Sequence, residues 1–132
     1  MMNQLAPPLR LVPPEIFTDM MERHWRDDLG NATSVALRSL WRSIASTFSD
    51  AIRDAHGDAP MKWRILQPPT GTGKTQGTCL YAALQADLNR HAETPVGILI
   101  VTRTILQADE IAATTNALSK AGGLLPVFRT RG

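Results

Sequence analysis

Nine consecutive residues constrain this chain more than any other feature: Gln67-Pro68-Pro69-Thr70-Gly71-Thr72-Gly73-Lys74-Thr75. Glycine at 71 and 73 permits backbone angles that other residues resist, so the loop can curl tightly and come close to a ligand. Past Gly73 the composition turns to Ala, Leu and Gln, which predicts a helix from Lys74 to about Ala92. A helix starting there would aim its free N–H groups and the positive end of its dipole at the curled loop, which suits an anion. Lys74 would reach back to the β- and γ-phosphates of a triphosphate, and the Thr75 hydroxyl would ligate a bridging Mg²⁺. The expected contacts are Pro69, Thr70, Gly71, Thr72, Gly73, Lys74, Thr75 and Gln76, with ATP and Mg²⁺ as ligands and Lys74 as the catalytic cation. The general phosphate-loop pattern has Gly where Pro68 stands, and Pro68 and Pro69 supply no N–H, so the cradle must be made from Gly71 to Thr75.

The flanking pattern predicts an α/β fold. Trp63 to Leu66, Val96 to Val101 and Leu124 to Phe128 are apolar strand candidates, and Ile105 to about Ala121 is a further helix ended by Gly122-Gly123. Strand and helix alternate, as in a three-layer parallel sheet. On that reading the loop Thr102-Arg103-Thr104 sits at the carboxyl end of a strand, the edge where such sheets bind ligands. Its hydroxyls, N–H groups and guanidinium suit phosphate contacts, though Arg103 can equally be solvated and Thr104 can simply cap the next helix.

Pro69-Thr70-Gly71-Thr72-Gly73-Lys74-Thr75 resembles motif I of superfamily 2 helicases, the DEAD/DEAH-box proteins and their relatives, and Gly97 to Thr104 resembles their motif Ia. The resemblance covers about Lys62 to Phe128. It implies the N-terminal RecA-like domain of a nucleic-acid-dependent ATPase, with Thr102, Arg103 and Thr104 on the DNA or RNA backbone. The family's motif II and second domain would lie beyond Gly132, so the resemblance also implies part of a longer helicase. Neither Val96–Val101 nor Leu124–Phe128 runs into an acid, and Asp109-Glu110 falls within a helix, where a solvated face is the expected role. Two enzyme alternatives, an AAA-type ATPase and a small-molecule kinase, fit the residues before Gly71 less well. A third alternative is a non-enzymatic remnant or interaction module that meets a protein partner through its N-terminal helices.

Those helices occupy the first half. Met1 to Pro14 carries four prolines and predicts an extended lead-in. Residues 15–60 predict two helices, and 61–132 the partial nucleotide-binding domain. Ile16, Met20, Met21, Trp25 and Leu29 recur at helical spacing, and Gly30-Asn31 stops that helix. Thr33 or Ser34 can cap a second, striped by Leu37, Leu40, Trp41, Ile44, Phe48, Ile52 and Ala55 and ended after His56. Composition adds exclusions. At 43% hydrophobic and 20% charged residues the chain is not disordered throughout. One cysteine, Cys79, excludes a disulfide framework and a cysteine-based zinc site, and its place on the helix after the loop suggests packing. No apolar run spans a bilayer, so a cytoplasmic protein without membrane contact is expected. Residues 1–60 hold six Arg against eight acids, and residues 61–132 hold eight Lys and Arg against four, so the positive excess lies with the proposed loop.

Overall fold

The computed structural model describes residues 9–57, 60 and 62–121. Four helices make up its regular structure: α1 (Pro14–Arg23), α2 (Val35–His56), α3 (Lys74–Asn89) and α4 (Ile105–Ala121). One π-helical turn, His24–Asp28, continues α1.

Each start has a local cause. Pro14 sits at the first position of α1, where its missing N–H costs nothing. Ser34 caps α2: its hydroxyl accepts from the Leu37 N–H at 3.1 Å. Gly73, in the left-handed region at φ 83°, precedes α3. The Thr104 hydroxyl accepts from the Gln107 N–H at 3.1 Å, and Gln107 Oε1 accepts from the Arg103 N–H at 3.1 Å, together starting α4.

α1 and α2 pack as a pair, α3 and α4 as another, and α1 and α2 both touch α3. The inward face of α1 and its π turn is Phe17, Met21 and Trp25, one helical turn apart. Sequence spacing nominated Met21 and Trp25 together with Ile16 and Leu29, which are exposed, and passed over Phe17. Trp41 and Ile44 enter from α2, Leu80 and Tyr81 from α3, and Leu118 from α4. Phe17 and Phe48 set their rings on Tyr81 at centroid distances of 6.1 and 5.1 Å. The Tyr81 hydroxyl pairs with buried Ser49 Oγ at 2.8 Å, and the two satisfy each other in the core. Residues 9–13 run without helix, as their prolines require, and are tied down by buried Val12 and by the Gln85 amide donating to the Arg10 carbonyl at 2.8 Å.

The three-layer parallel sheet is overturned. Among the described residues there is no strand, and an all-helical arrangement stands in its place. The chain is therefore not a RecA-like domain, and its likeness to superfamily 2 helicases stops at the short motif. The physical reason lies in hydrogen bonding. A strand exists only where a neighbour takes up its N–H and C=O groups. No backbone bond joins residues 63–66 to residues 96–101. Val96 spends its N–H and C=O on the Asn89 side chain, at 2.9 and 2.7 Å. Trp63, Ile65, Leu99 and Val101 are all at least 80% exposed, so these apolar runs leave most of their large side chains outside the core, which Leu66 alone of residues 63–66 packs against. The core is instead the faces of α3 packed on α1 and α2 on one side and α4 on the other. The third strand candidate, Leu124 to Phe128, lies outside the described residues. Among the described residues no helix is long and apolar enough to cross a membrane.

Candidate functional site

The Pro68–Gln76 segment forms a turn that empties into the start of α3. Gly71 and Gly73 have φ of 84° and 83°, and each reverses the chain in a way that L side chains resist. The Thr72 hydroxyl donates to the Pro69 carbonyl at 2.7 Å and closes the turn. The Gly77 N–H donates to the Gly73 carbonyl at 2.7 Å, the first bond of the helix. The N–H groups of Lys74, Thr75 and Gln76 belong to that first turn, which has no intrahelical acceptor for them. A cavity of about 290 Å³ opens over this turn, lined by the loop from Pro68 to Gln76. Lys74 and Thr75 are exposed beside it.

Pro69, Thr70, Gly71, Gly73, Lys74, Thr75 and Gln76 all line this one cavity. Thr72 does not; its carbonyl instead accepts from the Trp41 indole N–H at 2.9 Å. A second, larger cleft of about 610 Å³ lies between α3 and α4. Thr75 and Gln76 line both spaces, and Thr102, Arg103 and Glu110 line the second from the other side. The two expected contact regions therefore share one continuous rim. The residues of the 102–104 loop divide by role. The Thr102 hydroxyl donates to the Thr104 carbonyl at 2.9 Å, and the Thr104 hydroxyl caps α4. Arg103 is left exposed at the cleft.

Sequence reasoning missed what holds the loop. A Cβ placed on Gly73 would come within 2.7 Å of Met21 Cε and 2.8 Å of Trp25 Cζ3. The α1 segment thus lies directly on the glycine that starts α3. Trp25 stacks edge-on against Trp41 at 5.7 Å and is fixed by its N–H to the Ala32 carbonyl at 3.0 Å. His24 reaches across to Gln76, Nε2 to Oε1, at 2.8 Å. The widened π turn brings adjacent residues His24 and Trp25 to the same loop, a use to which such turns are often put. Two tryptophans and a histidine separated by tens of residues carry no spacing signal toward position 73.

Cys79 is buried, and burial raises its thiol above the ordinary range. A thiol held protonated is a packing group, in keeping with its sequence reading. Among the described residues no cluster of three or more His, Cys, Asp or Glu could hold a metal ion. No protein family, no curated protein and no solved structure matches this chain.

Proposed function

We propose that the Pro68–Gln76 loop binds the polyphosphate of a nucleoside triphosphate, ATP, as its Mg²⁺ complex. One observation carries the reading: two left-handed glycines deliver the chain into the first turn of a 16-residue helix, with Lys74 and Thr75 exposed at its mouth. Backbone donors and the helix dipole would meet the phosphate oxygens, and Lys74 would neutralise charge. Magnesium fits this donor set. It keeps most of its waters and takes one or two protein ligands beside the phosphates, so the Thr75 hydroxyl suffices without an acidic cage. Within the 102–104 loop, Arg103 is the group left to meet a phosphate, either the ligand's terminal one or a nucleic-acid backbone.

Calorimetric titration of the chain with ATP and Mg²⁺ tests this. Lys74→Ala removes one charge-assisted contact and is expected to weaken binding about tenfold or more. Helix content should be unchanged, because Lys74 is exposed. Equal affinity in the two proteins, or no binding by the native chain, would overturn the reading.

A further inference from the structure

The loop cavity and the cleft beside it differ in size and in charge. The loop cavity, about 290 Å³, is lined by the turn itself. The cleft between α3 and α4, about 610 Å³, has the size of a site for a small organic ligand. Thr75 and Gln76 line both spaces, so a molecule seated on the first turn of α3 can continue into the cleft without leaving the protein. The α4 wall of the cleft is one stripe at helical spacing: Gln107, Glu110, Ile111 and Thr114. Gln107 spends its Oε1 on the Arg103 N–H at 3.1 Å. Ile111 is half-buried and packs on the core. The Glu110 side chain is exposed, and among the described residues no hydrogen bond or ion pair takes up its carboxylate. A carboxylate accepts hydrogen bonds and repels phosphate, so this wall suits an uncharged group that donates.

We propose that the α3–α4 cleft holds the nucleoside of the bound triphosphate, with Glu110 accepting from the ribose hydroxyls. The inference rests on the phosphate-binding reading of the loop and adds the sugar and base to it. A nucleoside matches the cleft in charge, in hydrogen bonding and in apolar surface. It is uncharged, as a wall carrying Glu110 requires. Its ribose offers two neighbouring hydroxyl donors to an acceptor with two oxygens. Its base is a flat face that can cover Ile111 and Val101, the apolar side chains of the lining, and Val101 is otherwise 82% exposed. Arg103 enters the same cleft from the preceding loop, so the cation and the anion come from different elements. The cation suits the phosphate end of such a ligand and the anion its sugar.

The test is the affinity of the whole chain, with Mg²⁺ present, for ATP, for dideoxy-ATP, which lacks both ribose hydroxyls, and for inorganic tripolyphosphate. Each probe is titrated into the native protein and Glu110→Ala. The native protein is expected to bind ATP about tenfold more tightly than dideoxy-ATP, the worth of hydrogen bonds to a charged acceptor. Glu110→Ala should bring ATP down to the dideoxy-ATP level and should weaken neither dideoxy-ATP nor tripolyphosphate. Circular dichroism should show the same helix content in both proteins, because Glu110 is exposed. Equal affinity of the native protein for ATP and dideoxy-ATP, with binding still dependent on Lys74, would overturn the role of Glu110 and leave the loop reading standing. Equal losses for ATP and tripolyphosphate in Glu110→Ala would put the carboxylate on the phosphates or their Mg²⁺ and would overturn it as well. No binding of ATP or tripolyphosphate by the native protein would overturn the phosphate-binding reading and this inference with it.

Discussion

Gly71 and Gly73 share a backbone conformation but not an environment, and that difference is measurable. A Cβ at Gly71 meets nothing within 4 Å, whereas one at Gly73 runs into Met21 and Trp25. Gly71→Ala is expected to cost about 1–2 kcal/mol, the penalty of the left-handed region alone. Gly73→Ala adds displacement of the two side chains and should cost about 2 kcal/mol or more beyond that. Urea unfolding of both variants checks the order, and equal losses would mean that α1 does not press on the loop. The glycines themselves were legible in the sequence, because phosphate loops need their freedom. Their unequal surroundings were not, since Met21 and Trp25 lie some fifty residues away along the chain.

At the scale of elements, the helices were readable and their partners were not. Ser34, Gly73 and Thr104 mark starts by local chemistry, and α2, α3 and α4 begin at or just after them. The apolar runs at 63–66 and 96–101 read as strands because apolar, β-branched sequence is what a buried strand needs. Such a run does not specify a neighbour to pair with, and none is found among the described residues. On the inward side of α1, Met21 and Trp25 were legible but Phe17 was not, because Ile16 and Phe17 both fit a helical repeat and only packing against Tyr81 selects Phe17. The link between α2 and the loop can be isolated through Trp41. Trp41→Phe keeps most of the apolar volume but leaves the Thr72 carbonyl without its indole donor. A loss of about 1 kcal/mol in stability is expected. A fall in ATP affinity should accompany it, because the loop loses its tether. Stability loss with unchanged affinity would limit Trp41 to packing.

For the molecule as a whole, the buried centre contains two groups that resist ionisation. Burial raises both the Cys79 thiol and the Tyr81 phenol above their ordinary values of 9.0 and 10.0, with the Ser49 hydrogen bond opposing the shift at Tyr81. Each group therefore holds its proton more tightly folded than unfolded. Their contribution is fully present below the unfolded values and is lost as pH rises above them, since the unfolded chain then binds fewer protons. Stability should fall from about pH 9 upward. Cys79→Ala should remove the earlier part of the fall, after allowance for its packing loss; an unchanged alkaline profile would mean the thiol is not buried. The same centre explains why the glycine turn before α3 could be found by reading while the fold could not. The loop is nine residues of local chemistry, whereas the core is an agreement among Phe17, Trp41, Tyr81 and Leu118 from four separate helices.

The central claim is that the first turn of α3 and the curl before it form an anion cradle. Amide NMR of the chain during titration with ATP and Mg²⁺ addresses those backbone groups directly. The account predicts that the largest shifts fall on the N–H resonances of Gly71 to Gln76, and that they vanish in Lys74→Ala. Shifts confined to other helices, or none at saturating ATP, would contradict it.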